Sequence, residues 1–191
     1  MQGRVFLFVG PDGSGRNTLA NAMGITFHIP RVVSYTTRPK RQYETPGKEY
    51  IFVTEKEFTE MEQTGNFIEA VRSDDYYYGI KKEDCERFLR EQGGFYAVLS
   101  PAGCEIFKEL FPNALTIFVY ADRETVTERQ KQRGDDEQTI ERHLRHYDNV
   151  MKYQEACDIA IANYDLASTA QELTTRVENF LGIVHDPDSK Y

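Results

Sequence analysis

The chain is poor in cysteine and histidine, and it contains no long apolar run. Its three cysteines, Cys85, Cys104 and Cys157, are odd in number and widely scattered. That pattern argues against a disulfide framework and against a metal cluster, and it suits a reducing cytosol, so a cytoplasmic protein is expected. The four histidines show no ligand spacing, and no metal-ligating residue is nominated. No stretch approaches the roughly 20 apolar residues that span a bilayer, so no membrane is expected as a partner. The opening Met1-Gln2-Gly3-Arg4 leads through a short apolar stretch into glycines, unlike a secretory signal. An excess of positive charge is also missing: the formal net charge is −8, which speaks against a general nucleic-acid binder. The charge is uneven, however. Residues 1–50 carry seven Lys/Arg against three Asp/Glu, net +4, leaving −12 over the other 141. A basic region in an acidic protein suits a confined anion site. Chance clustering gives the same count, and charge alone does not separate the two.

What is present suffices for one α/β domain: 191 residues, 40 % hydrophobic, with 12 Phe and 12 Tyr, enough to bury a sizeable core. Val5-Phe6-Leu7-Phe8-Val9 reads as a buried parallel strand. A glycine loop follows, then a helix over Thr18–Met23 that Gly24 is expected to end. A short strand is expected around Val32-Val33-Ser34 and another at Tyr50–Val53. Thr54 and Glu57 have capping-box spacing for a helix running to Gly65. Phe67–Arg72 and Tyr76–Tyr78 read as an antiparallel pair, with Tyr76 and Tyr78 on one face and Tyr77 toward the core. Beyond that come a helix over about Lys82–Glu91, a strand at Phe95–Leu99, and a helix opened by Pro101 with Ser100 as its cap. Leu115–Tyr120 is a strand, Asp122 caps a helix through Gln132, and a long helix reaches about Ala156. Ile159–Ala162 is the last strand, and Ser168 with Gln171 suggests a cap for the final helix. Such alternation implies a parallel sheet with helices on both faces.

The chemistry concentrates in Gly10-Pro11-Asp12-Gly13-Ser14-Gly15-Arg16-Asn17-Thr18, which follows a buried strand and opens a helix. Glycines let the backbone curl so that N–H groups point inward, and the helix start adds partial positive charge; this is the setting of a phosphate loop. The usual pattern is G-x-x-x-x-G-K-[ST]. Here Arg16 stands at the lysine position and Asn17 at the hydroxyl position, with Thr18 one residue on. Arginine is a longer planar fork and does not substitute freely for the compact charge of lysine.

With this loop, the segment Val33-Ser34-Tyr35-Thr36-Thr37-Arg38-Pro39-Lys40-Arg41 makes the chain resemble the guanylate kinases. The likeness continues through Tyr50–Val53, Gly65–Glu69, Tyr77-Tyr78-Gly79, Arg129–Gly134 and Ile161-Ala162-Asn163, covering roughly residues 4 to 182. It implies a single domain over 1–185, with a parallel core at 1–34 and 81–185, a GMP-binding subdomain at 35–80, a lid at about 123–145 and a tail at 186–191. By the same resemblance Arg38, Arg41, Tyr50 and Tyr78 hold the phosphate of GMP, and Ser34 and Glu69 read the guanine. Gly10, Gly13, Ser14, Gly15, Arg16, Asn17 and Thr18 cradle the phosphates of ATP, with Mg²⁺ as its companion, and Asn163 contacts the adenine. Arg16, Arg129, Arg133 and Arg142 serve the transfer itself. The chemistry is coherent: two guanidinium forks with phenol donors suit a dianionic phosphate, and a carboxylate accepts from guanine N1–H and the 2-amino group, which adenine does not offer.

Departures cluster on the transfer side. Val98 and Ser100 stand where the family carries two aspartates, and Ile80 replaces a small hydroxyl residue that assists guanine recognition. The expectation is therefore a nucleotide-binding protein with its GMP pocket retained and its ATP-to-GMP transfer impaired; the alternative is an active guanylate or related nucleoside monophosphate kinase. GMP and ATP are the expected partners; if the domain is non-catalytic, the same pocket would hold GMP, another guanine nucleotide or a phosphorylated protein.

Overall fold

The computed structural model describes residues 3–41, 44–73 and 75–183. Along the chain run β1 (Arg4–Val9), α1 (Arg16–Thr26), β2 (Tyr35–Thr36), β3 (Ile51–Phe52), α2 (Glu55–Gln63), β4 (Phe67–Ser73), β5 (Tyr76–Lys81) and α3 (Lys82–Gln92). They are followed by β6 (Gly94–Val98), α4 (Pro101–Leu110), β7 (Leu115–Tyr120), α5 (Arg123–Arg133), α6 (Glu137–Met151), β8 (Ile159–Ala162) and α7 (Leu166–Leu181). The chain is α/β, and it groups into two compact units: Met1–Val9 with Ile29–Thr116, and Gly10–His28 with Ile117–Tyr191. Among the described residues no helix is long and apolar enough to cross a membrane.

In the first unit β1 is buried from Val5 onward and pairs in parallel with β6, from Arg4 opposite Gly94 to Phe8 opposite Val98. Residue 94 has to be glycine, because a Cβ there would collide with the Arg4 carbonyl. Phe95, Phe107 and Phe111 meet edge-on or tilted at 5.5–6.2 Å and seat α4 on this pair. A second, mixed sheet has the order β3-β2-β5-β4, with β2 parallel to β3 and antiparallel to β5. The β4–β5 ladder shifts register between Phe67 and Glu69. The expected capping box is present in full: Thr54 accepts from the Glu57 N–H, and Glu57 returns a bond to the Thr54 N–H. The helix it opens, α2, drives Phe58 against Phe67, stacked at 4.6 Å, and against Tyr77 at 5.5 Å. Tyr77 thus faces the core, while Tyr78 turns its edge to Tyr50 at 5.9 Å, as strand alternation requires.

In the second unit β7 and β8 pair in parallel from Ile117 opposite Ile159 to Tyr120 opposite Ala162, and α1 lies against α7. Several boundaries differ from the sequence reading. Gly24 does not end α1: it is buried inside a helix that runs to Thr26, so its small size serves packing. Val32–Ser34 forms no strand, since only a single bridge, Arg31 to Tyr96, touches β6 there. The long helix stops at Met151 and tightens into a 3-10 turn over Lys152–Ala156. The final helix is capped by Asp165, whose side chain accepts from the Ser168 N–H at 2.8 Å, so the Ser168–Gln171 pair falls inside its first turns. The nominated tail lies outside the described residues.

Candidate functional site

The phosphate loop occupies the turn from residue 10 to the start of α1, within the second unit. Gly10, Gly13 and Gly15 have φ of 152°, 86° and 86°, in the region that L side chains rarely enter. Space forbids a side chain as well. A Cβ at Gly10 would strike the Val119 carbonyl, one at Gly13 would lie 2.6 Å from the Val126 oxygen, and one at Gly15 would strike the Asn163 amide. Gly15 is the N-cap of α1 and, having no side chain, supplies no side-chain cap.

Arg16 sits in the first turn of α1 and folds back. One terminal nitrogen donates to the Gly10 carbonyl, and the other lies 3.5 Å from the Asp12 carboxylate; the side chain is 18 % exposed. Thr18 is exposed and Asn17 half-buried. Asn163, 3 % exposed, donates through its amide to the Ser14 carbonyl at 2.7 Å. Arg129 reaches the same carbonyl at 3.4 Å and the Tyr164 carbonyl at 3.3 Å. Arg133, at the end of α5, pairs with Asp135, and Arg142 on α6 donates to the Thr139 hydroxyl at 3.2 Å. The loop and Arg129 thus come together around Ser14; Arg133 pairs with Asp135 just past the end of α5, and Arg142 bonds Thr139 one turn back on α6. Sequence reasoning missed Gln130, fully buried, which donates to the Val126 carbonyl at 3.1 Å and to the Asp12 carbonyl at a longer 3.4 Å. The signal available was a polar residue set between Val126 and Arg133 on a helix already expected to carry function.

The nominated GMP residues all belong to the first unit. Arg38 donates to both oxygens of Glu44, at 2.6 and 3.1 Å, and to the Pro39 carbonyl at 2.7 Å. Its guanidinium lies over the faces of Tyr50 and Phe52, 5.3 and 5.8 Å from the ring centres. Glu44, 5 % exposed, also accepts the Arg41 N–H at 2.8 Å. Burial alone would raise the carboxyl of Glu44, but the Arg38 and Arg41 bonds outweigh it and hold it below the ordinary range. Glu44 was not foreseen; its only mark was an acidic residue three positions after Arg41 in a basic segment. Arg38, Arg41, Tyr50 and Tyr78 are gathered by this short stretch and by the β2–β5 pairing, which places Thr36 opposite Tyr78.

Ser34 and Glu69 are buried. Glu69 lies opposite fully buried Ile80 in the β4–β5 ladder, and burial raises its carboxyl to about 7. Beside it α4 begins with Ser100, whose hydroxyl accepts the Gly103 N–H at 3.1 Å. A Cβ on Gly103 would come within 2.5 Å of the Glu69 carboxylate, so a glycine in the first turn lets the acid reach the helix start. Ser100 is thus a helix cap, and neither it nor apolar Val98 supplies the carboxylate absent from this strand end. Among the described residues no group of three His, Cys, Asp or Glu is placed to hold a metal.

A family model described as "Guanylate kinase" matches residues 2–180. The guanylate kinase of Helicobacter pylori (strain ATCC 700392 / 26695) is 33% identical over 172 residues, covering 87% of this chain and 82% of that protein. That of Paraburkholderia xenovorans (strain LB400) is 30% identical over 174 residues, covering 90% and 77%. The crystal structure of guanylate kinase from Anaplasma phagocytophilum matches with a TM-score of 0.74 at 24% identity, covering 93% of this chain and 86% of that one; this likeness is one of fold.

Proposed function

Because the chain belongs to the guanylate kinase family, we propose that it holds a guanine nucleoside monophosphate in the first unit and transfers the γ-phosphoryl of ATP to it only slowly. Arg38, Arg41, Tyr50 and Tyr78 clamp the phosphate, and Ser34 and Glu69 read the base. Residues 10–18 cradle the triphosphate. In the reaction a phosphate oxygen of GMP attacks the γ-phosphorus, the bond to the β-bridging oxygen breaks, and ADP and GDP leave. Protein catalysis of such a transfer is positioning and charge stabilisation, with no covalent step. Mg²⁺ bound with ATP would neutralise phosphate charge, and Thr18 would offer it the hydroxyl that stands one residue past the usual position.

The observation that carries the slow-transfer reading is the state of Arg16. Its guanidinium is engaged with the Gly10 carbonyl and the Asp12 carboxylate, so the charge that would meet the β and γ phosphates is turned onto its own loop. Losing one well-placed stabilising group lowers turnover by about 10²–10³, and Val98 and Ser100 remove further charge from the same machinery. GMP-dependent release of ADP from Mg²⁺ and ATP tests the reading. We expect turnover well under the common range of about 1–10³ s⁻¹, rising in Arg16→Lys. Turnover inside that range in the unaltered protein makes it an active guanylate kinase and removes the impaired reading.

A further inference from the structure

Three carbonyls of the phosphate loop are held by side chains. Gly10 is held by Arg16, Asp12 by Gln130, and Ser14 by Asn163 with Arg129. The peptide bonds described are all trans, so within each unit the C=O and the following N–H point in opposite directions. Holding the Asp12 carbonyl therefore aims the Gly13 N–H, and holding the Ser14 carbonyl aims the Gly15 N–H. The Gly10 carbonyl aims nothing, since Pro11 has no N–H. The Ser14 N–H between them closes a turn on the Pro11 carbonyl at 3.2 Å. The two N–H groups whose direction is set from outside the loop thus belong to the two glycines at φ 86°.

We propose that Gln130 and Asn163 are positioning residues of the phosphate loop: their amides fix the Asp12 and Ser14 carbonyls and so hold the Gly13 and Gly15 N–H groups ready for an anion before any arrives. This rests on reading residues 10–18 as the triphosphate side, and it gives Asn163 a task other than contacting the base. Asn163 is built for that task, being 3 % exposed, with its amide nitrogen at 2.7 Å from the Ser14 oxygen and filling the place a Gly15 side chain would need. Among the described residues its Oδ1 is buried with no hydrogen-bond partner, as is the Ser14 hydroxyl, so the bond from its nitrogen is the reason to keep an amide there. Gln130 extends the brace to α6. Its nitrogen donates to two carbonyls, so its Oε1 faces the His143 ring, and an amide oxygen only accepts. The ring nitrogen that meets it is the Nδ1 of His143.

The test uses Gln130→Met, which keeps volume and loses the bonds, and Asn163→Leu. Backbone ¹⁵N relaxation of the ligand-free protein reads the order of Gly13 and Gly15. Both are expected near the rigid value of about 0.85 in the unaltered chain and below about 0.6 in the variants. Affinities for ATP and for inorganic tripolyphosphate should fall together, by about fivefold per lost bond, while GMP affinity, read from the first unit, stays unchanged. Unaltered order parameters in both variants overturn the proposal, and so does an Asn163→Leu loss confined to ATP, which would mark a base contact. If the unaltered protein bound neither polyanion, the triphosphate reading would fall, and the order parameters of the free loop would still decide this one. Should Asn163→Leu fail to fold, Gln130→Met decides alone.

Discussion

Glu69 is a carboxyl group kept from water on purpose or at a cost, and its protonation separates the two. Burial raises it to about 7, against an unfolded value near 4.5. The native state therefore binds the extra proton between these values, and its contribution to stability is full below about 4.5 and lost as pH rises through about 7. We expect thermal unfolding to show this falling slope between pH 5 and 7, and Glu69→Gln to flatten it. Guanine asks for the opposite form, since its N1–H and 2-amino groups need the carboxylate as acceptor. GMP affinity should thus rise with pH up to about 7, by up to about tenfold per unit, and Glu69→Gln should lose that dependence beyond what the ligand's own phosphate titration gives. A profile identical in the two proteins would separate Glu69 from the base. At Arg38 the expectation is loss of monophosphate binding in Arg38→Ala, by 10-fold or more from the charge-assisted bonds removed. Glu44→Gln keeps one oxygen for Arg38 and should weaken GMP less, because its part is to orient the fork; calorimetric titration with GMP orders the three proteins. Arg38 and Arg41 were legible from their motif. Glu44 was not, because a sequence does not announce which of several nearby acids will fold under a guanidinium.

Among the elements, the loop and the caps carry the sharpest expectations. Gly15→Ala puts a side chain into a left-handed residue and into the Asn163 amide. Strain at such a residue costs about 1–3 kcal/mol, and chemical denaturation should show a loss of at least that size together with weaker ATP binding. Ser100→Ala removes the α4 cap and should cost about 1 kcal/mol, with a second effect at Glu69, whose neighbouring helix start then frays. Strands β1, β7 and β8 were legible because an unbroken apolar run has few alternatives, and α2 because its capping box is a local bond pair. The misjudged ends have different causes. Gly24 looks like a breaker, but α1 buries it and runs on; Ser168 looks like a cap, but Asp165 reaches the Ser168 N–H first; and Val32–Ser34 looks like a strand, but the segment meets β6 through the single Arg31–Tyr96 bridge.

At the scale of the whole molecule the residues proposed to hold GMP fall in the first unit, and the loop proposed to hold the triphosphate falls in the second. A ligand that binds only the native state stabilises it, by about 2.7 kcal/mol at a hundredfold excess over Kd. GMP at that excess should raise the melting temperature by about 5–10 °C for a chain of this size, and a flat response at millimolar GMP would remove the pocket assignment. The α/β order, the phosphate loop and the family were determined by the sequence alone, because they rest on short-range rules: an apolar run, glycine spacing before a helix, a dense motif of charged and phenolic residues. Only the tertiary structure decided that Arg16 bends onto Gly10 and Asp12, that Gln130 and Asn163 hold the loop from outside, and that Glu69 lies dry against Ile80 and Gly103. Arg16 finds its partners only four and six residues away, but Gln130, Asn163 and Glu69 meet groups distant in sequence, and all compete for donors, acceptors and space that exist only once the chain has folded.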